Sequence, residues 1–275
     1  MKNKNLSFLS WNTAKRIKYL DEQIKLIKKT DCDVIALQEI TKSSDLKFKK
    51  SLNNIYENII SSFDLAKDTT ILKGKRMFGQ LIASKFPISA IDPKKINIPW
   101  QERVLSVKLQ NNIYLHTTHI PPGSSNGWIK VKMINGIVKY LIKNKIKRQI
   151  LCGDFNTPKF ESKETGLVTF AQNIKKDNKV VTKGSFRGGK GKDWDNSERS
   201  LFLDLKKNNI FESYRIIYPK RYSDKSWIFK RKEKIFGQRF DHFFASDNLK
   251  VEQVKYLKIE KGISDHLPLK VVYRI

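Results

Sequence analysis

The sequence predicts one α/β domain of two β-sheets flanked by helices. Three observations carry that expectation. Short apolar runs of strand length alternate with segments whose apolar residues recur every three or four positions. The chain opens on a β-α-β pattern. No Pro-, Gly- or Ser-rich linker divides its 275 residues, a length at which α/β folds often close as a single unit.

In chain order, residues 6–10 form the first expected strand. Ile17, Leu20, Ile24 and Ile27 then recur at helical spacing, and the run Asp33-Val-Ile-Ala-Leu-Gln38 is a buried strand. A second amphipathic helix is expected over residues 46–59. The pattern then turns β-rich, with strands at 80–84, 103–109 and 113–118 punctuated by Phe86-Pro87 and Asn111-Asn112. Pro121-Pro122-Gly123 breaks the chain, and Trp128, Val131, Ile134, Val138 and Leu141 rebuild a helix that feeds a strand at 149–153. Asp195-Asn-Ser-Glu198 has the form of a capping box, with Asp195 as N-cap of a helix running towards Asn208. Strands follow at 226–229, 239–245, 251–259 and 267–274, and residues 184–192 form a basic, glycine-rich loop where backbone can approach a ligand.

Charge narrows the partner. Fifty-five Lys and Arg against 27 Asp and Glu leave +28, while 39% hydrophobic and 11% aromatic residues suffice for a core, so the charge does not make the whole chain disordered. No apolar run approaches the length of a membrane span. Lys2 and Lys4 resemble a signal-peptide n-region, but the apolar stretch after them is cut off by Asn12 and Lys15. Cys32 and Cys152 match neither a disulfide framework nor a zinc spacing, which leads us to expect a reducing, cytoplasmic setting, with Cys152 a buried inert thiol. A chain this basic is expected to meet a polyanion, nucleic acid being the commonest; an anionic membrane surface or a ribosome-like assembly would give the same balance.

Against that background the acidic residues are informative. Glu39 follows the apolar run Val34-Ile-Ala-Leu-Gln38, and Asp154 and Asn156 follow Ile150-Leu-Cys-Gly153. Asp241 sits in Arg239-Phe-Asp-His-Phe-Phe244, and Asp265-His266 precedes the last strand. Burying an unpaired carboxylate costs several kcal/mol, roughly, so four acids at strand ends are expected to converge on cations or on one another.

The ordered series Trp11-Asn12, Leu37-Gln38-Glu39, Thr118-His119, Gly153-Asp154-Phe155-Asn156, Arg239-Phe240-Asp241 and Ser264-Asp265-His266 resembles the endonuclease/exonuclease/phosphatase superfamily, which includes deoxyribonuclease I and exonuclease III. Each motif alone is weak; six in order over about residues 6–273 are not. The resemblance implies a four-layer α/β/β/α sandwich of two packed mixed sheets and metal-dependent hydrolysis of phosphate esters. It implies Mg²⁺, with Mn²⁺ as the alternative, held chiefly by Glu39 with Asp265 and Asn12 close by. It further implies that Asp154 takes a proton from the attacking water, and that Asn156 fixes a water or phosphate oxygen with its amide. His266 would contact the scissile phosphate while Asp241 holds its ring and favours the imidazolium. Alternation puts Leu115, Thr117 and His119 on one face, leaving His116 as a structural residue. A His at position 119 resembles deoxyribonuclease I, the deadenylases, the sphingomyelinases and the tyrosyl-DNA phosphodiesterases. The exonuclease III and abasic-site branch instead carries Tyr there. Gly237-Gln238-Arg239 also departs from the Gly-Trp-Arg run of abasic-site enzymes.

The expected activity is therefore that of a Mg²⁺-dependent nuclease acting as a monomer on DNA, with RNA second. The alternative is a phosphodiesterase or phosphatase acting on nucleic-acid ends, protein–DNA adducts or inositol phosphates. Basic runs at 73–76, 187–192, 220–221 and 230–232, with aromatic residues beside several of them, are expected to face substrate. Arg187, Lys190, Lys192, Trp194 and Arg239 are the candidates for nucleic-acid contact. No exposed apolar hairpin is legible, so lipid hydrolysis is not expected.

Overall fold

The computed structural model describes residues 5–231 and 233–275. Lys2, Lys4 and Lys232, from the basic positions named above, lie outside them. Each of two sheets is organised around one parallel pair. Strands Asn5–Asn12 and Val34–Ile40 run parallel because the helix Leu20–Thr30 carries the chain back between them. Strands Tyr114–His119 and Gln149–Asp154 do the same through the helix Ile129–Asn144. Parallel neighbours require such a crossover. Antiparallel strands complete both sheets at six strands each. The first has Leu269–Arg274 and then Lys250–Tyr256 on one side, Gly79–Ser84 and then Asn58–Ser61 on the other. The second has Asp241–Ser246 and Ile210–Glu212 on one side, Val104–Leu109 and Ile88–Ala90 on the other.

The two-residue period of the strands decides the layers. Phe8, Val34, Ala36 and Val271 meet Leu105, Leu115, Ile150 and Phe243 between the sheets. The intervening residues Leu9, Trp11, Ile35 and Leu37 face outwards and are covered by Ile24, Ile27, Phe48 and Leu52. On the second sheet, Leu151 and Phe244 lie under Ile134, Val138, Leu201 and Leu205. The order is helix, sheet, sheet, helix, as expected. Cys152 is buried between the sheets, where burial pushes its thiol up to about 12 and leaves it unreactive. No helix of the described residues is long and apolar enough to cross a membrane.

Two of the expected helices differ in extent. The helix expected over 46–59 is Lys42–Leu52, begun by a reciprocal capping box of Thr41 and Ser44. Its apolar spacing continues through Ile55 and Ile59, but Asn58–Ser61 pairs at the sheet edge with Gly79–Ser84 instead. The helix expected from Asp195 begins at Gly191. Asp195 is therefore in its second turn, accepting from Thr169 Oγ1 at 2.8 Å and pairing with Arg199 at 2.9 Å. Gly191 is required at that start, because a Cβ would lie 1.9 Å from the carbonyl oxygen of Lys183.

His116 is structural, as expected. Its Nδ1 shares a 2.7 Å hydrogen bond with Ser106 Oγ, its Nε2 has no partner among the described residues, and burial pulls its pKa down to about 4. The unfolded chain takes up this proton near pH 6.5 and the folded chain only near 4, so folding stability falls as pH drops through that window. The loss is up to about 3 kcal/mol. His116→Phe, which keeps a ring against Tyr140, is expected to flatten the profile. Denaturant unfolding near neutral and acidic pH checks this; an unchanged pH dependence would contradict it.

Candidate active site

The carboxyl ends of the two parallel pairs meet, which is where α/β sheets place ligands. Register delivers the second sheet's contribution directly: His119 lies beside Asp154, and Asp154 beside Asp241. Gly153 lets these strands close, since a Cβ there would sit 1.9 Å from the carbonyl oxygen of Thr118. In the first sheet Asn12 ends its strand beside Gln38, and the ladder then slips between Gln38 and Ile40. Glu39 occupies that bulge with φ +54°, a left-handed conformation unfavourable for glutamate. The bulge re-aims its carboxylate into the cleft. Asp265 and His266 arrive on the loop before Leu269–Arg274, anchored by Trp11 Nε1 donating to the His266 carbonyl at 2.9 Å. Ser264 Oγ donates to the Asn12 carbonyl at 2.8 Å.

Asp154 is the hub. Its Oδ2 accepts from Asn12 Nδ2 at 2.9 Å and Asn156 Nδ2 at 3.1 Å, and its Oδ1 accepts from the Asn156 amide at 2.8 Å. His119 Nε2 and His266 Nε2 stand 3.6 and 3.7 Å from the same Oδ2. Glu39 Oε1 lies 3.2 Å from Asn12 Nδ2 and 3.4 Å from His119 Nε2. His266 Nδ1 is 2.8 Å from Asp241 Oδ2, and Asp265 Oδ2 accepts from Trp227 Nε1 at 3.1 Å. These groups line or underlie a cleft of about 790 Å³.

The two histidines differ in charge for visible reasons. Burial works against a charged His266, but Asp241 and Asp154 together hold its ring protonated, up to about 10. His119 meets the buried guanidinium of Arg103 at Nδ1. A guanidinium only donates, so Nδ1 accepts and the ring proton is on Nε2, facing Glu39 and Asp154. Burial, then the charges of Arg103 and His266, hold the His119 pKa well below its usual value. Arg103 is fixed in turn by its hydrogen bond to the Lys75 carbonyl and by the rings of Phe78 and Trp100 at 5.1 and 5.7 Å.

The donor set suits a hard divalent cation. Four carboxylates, Glu39, Asp154, Asp241 and Asp265, converge there with His266 as the cation against Asp154 and Asp241, while Lys15, Arg16 and Arg187 line the wider cleft. Among the described residues Asp241 Oδ1, which is buried, has no partner. Among the described residues Glu39 is met only by the neutral donors of Asn12 and His119. Oxygen ligands carrying surplus negative charge are what such ions select.

The structure thus assembles Asn12, Glu39, His119, Asp154, Asn156, Asp241, Asp265 and His266 in one place. Asn156 corrects its expected role: both amide protons go to Asp154 Oδ2 and to the Ile120 carbonyl at 2.9 Å, so it orients Asp154 rather than a phosphate oxygen. The substrate-contact candidates divide. Arg187 lines the cleft, whereas Lys190 and Lys192 are exposed outside it. Arg239 is buried, bound to Glu161 at 2.9 Å and Glu212 at 2.7 Å, and cannot face substrate. Trp194 borders the cleft but is fully buried, its indole donating to Glu198 at 2.8 Å. The glycine-rich loop brings its backbone close to a side chain of its own chain: a Cβ at Gly189 would meet the Trp128 ring at 2.1 Å. An apolar hairpin is present after all. Trp227–Arg231 pairs with Lys234–Gln238, leaving Ile228, Ile235 and Phe236 40%, 75% and 42% exposed.

Two contributors escape sequence reasoning. One is Arg103. The other is Lys130, whose buried ammonium pairs with Glu198 and donates to the Asn156 carbonyl at 2.7 Å, pinning the left-handed residue that orients Asp154. Their one signal is position: a cation on the inward face of an element in a chain most of whose cations face water.

The sequence model of the Endonuclease/Exonuclease/phosphatase family matches residues 9–266. The chain belongs to that family. It is accordingly a metal-dependent phosphoesterase, and the cluster is its candidate centre. No curated protein matches the sequence. Among solved structures, the fold is similar to that of the 3′ phosphatase NExo from Neisseria bound to product DNA hairpin. There the TM-score is 0.69 at 16% identity, over 98% of this chain and 100% of that one. D. rerio TDP2 complexed with single strand DNA product gives 0.62 at 14% identity over 99% and 100%. An AP endonuclease from Archaeoglobus fulgidus gives 0.64 at 17% over 98% and 100%. At these identities the likeness to each is one of fold.

Proposed function

We propose that this member of the family hydrolyses phosphodiester bonds of nucleic acid, DNA before RNA, with Mg²⁺ as its cation. The observation that carries the reading is the cleft itself. Its floor is the Glu39–Asp154–His266 cluster, and its lining includes the cations Lys15, Arg16 and Arg187 together with the half-buried rings of Trp227 and Phe229. A phosphate backbone suits the cations, and bases suit the rings. The DNA bound in the Neisseria and D. rerio structures supports the same substrate class. One chain supplies every group of the cleft, so the reading needs no second copy.

In this reading Glu39 is the chief metal ligand, with Asn12 and Asp265 beside it, and the cation supplies positive charge to a phosphate oxygen when bound. Asp154 accepts the proton of the attacking water. Burial pushes its carboxyl up to about 7, so its basicity matches neutral solution, and Asn12 and Asn156 fix its orientation. His266, kept cationic by Asp241, meets the phosphate oxygens. His119 donates its Nε2 proton to the same developing charge as a neutral ring.

A substrate panel tests this: plasmid, single strand, RNA, abasic duplex, tyrosyl-phosphate end and inositol phosphate, each with Mg²⁺ and with a chelator. Cleavage of nucleic acid only with the metal is expected. Release of phosphate from the small substrate with no nucleic acid cut would overturn it.

A further inference from the structure

Away from the catalytic cleft, a groove of about 890 Å³ runs along the solvent face of helix Ile129–Asn144. Lys95, Lys132, Lys139 and Lys143 line it together with the amides Asn97 and Asn135, all of them exposed, and no acid lines it. Among the described residues none of the four ammonium groups has an ion-pair partner.

The absence of acids extends well beyond the groove. Residues 93–153 hold eleven Lys and Arg and a single acid, Glu102, where the chain as a whole averages one acid in about ten residues. Glu102 is buried and already paired with Arg76 at 2.6 Å. The three buried strands of that stretch exclude acids by burial, but the exposed face of the helix does not, and there i, i+4 pairs with acids would stabilise it. The helix has no Asp or Glu at all.

Geometry selects the ligand. Lys132, Lys139 and Lys143 fall along one helix face, spanning about 16 Å at 1.5 Å per residue. That equals the rise of about five nucleotides in one strand. Amide side chains between the lysines donate to phosphate and sugar oxygens, and a concave surface fits a chain better than a flat bilayer. The same helix reaches the catalytic cleft from its other face, where Lys130 touches Asn156.

We propose that this groove is a second site for the phosphate backbone of a nucleic-acid strand, separate from the cleft, which holds the part of a long substrate that is not being cut. It goes beyond the catalytic reading, and its test measures binding, so failure of either leaves the other standing.

The test compares wild type, the triple variant K132Q/K139Q/K143Q and a control triple, K25Q/K28Q/K29Q, on the exposed face of helix Leu20–Thr30. The probes are single strands of six and thirty nucleotides and vesicles containing phosphatidylserine, and the salt dependence of affinity is recorded. Wild type is expected to bind the longer strand more tightly than the shorter. The groove variant is expected to lose most of that gain, at least about tenfold near 0.1 M salt, with the log–log salt slope shallower by about 2, or about 0.7 for each lysine. The control triple should leave both quantities near wild type. Equal losses in the two triples would show a general charge effect and overturn the site, as would a groove variant that binds both strands like wild type. Loss of vesicle binding alone would reassign the surface to a membrane and equally overturn it.

Discussion

Asp154→Asn is expected to leave a folded protein whose turnover of a nucleic-acid substrate falls by about 10³-fold, within the usual range for loss of a general base. The substitution is nearly isosteric but inverts the hydrogen bonding. Asp154 accepts from Asn12 Nδ2, Asn156 Nδ2 and the Asn156 amide, so a carboxamide in its place must turn an NH₂ towards other donors. The site loses its base and the alignment of two asparagines together. Binding of the uncut strand should be retained or tightened, because one negative charge has left a cleft that receives phosphate. Single-turnover cleavage and equilibrium binding, measured on the same oligonucleotide, separate the two effects. A loss of less than tenfold in the cleavage step would show that the proton goes elsewhere.

His119→Gln is expected to cost about 10²-fold in kcat, the scale of one preorganised donor removed from a developing anion. Arg103→Met should approach that loss without altering any group that faces the cleft. Arg103 touches His119 at Nδ1, on the far side of the ring from Glu39 and Asp154. Without it, nothing in the contact holds the proton on Nε2, and the ring can take the tautomer that presents a lone pair to the phosphate. Arg103→Lys keeps a charge and a donor but not the fork, and recovers part of the rate. Nitrogen-15 shifts of the His119 ring provide a readout that general loosening would not reproduce: an acceptor Nδ1 in wild type, a mixture in Arg103→Met. Wild-type kcat in Arg103→Met would remove Arg103 from the mechanism.

What the sequence discloses about the site follows from how strands work. A carboxylate at the end of an apolar strand emerges at a sheet end, so Glu39, Asp154, Asp241 and Asp265 were legible as a converging set, and their roles followed from the family's order of motifs. The four-layer order followed from the family resemblance, and the alternation of the strands accounts for it in the structure. Long-range pairing was not legible. Arg239 stands in a run that looks substrate-facing, yet Glu161, 78 residues away, and Glu212, 27 away, close on it. Glu198 imitates a capping residue and instead pairs with Lys130 across 68 residues. The helix at Lys42–Leu52 was overextended because Ile55 and Ile59 keep helical spacing while belonging to a turn and an edge strand. Arg103 sits at the head of a strand like any other, and its meaning appears only when Val104–Leu109 and Tyr114–His119 pair and bring it beside His119.

The catalytic reading depends on one claim, that catalysis occurs where Glu39, Asp154 and His266 meet and requires a divalent cation there. The most direct measurement is cleavage of one end-labelled oligonucleotide by wild type and by Glu39→Gln as Mg²⁺ is titrated from a chelated start. The structure predicts no cleavage by wild type under chelation, saturable cleavage as Mg²⁺ rises, and a variant that binds the strand but stays at least about 10³-fold slower at every metal concentration. Wild-type cleavage under chelation, or a variant that matches wild type at saturating metal, would contradict it.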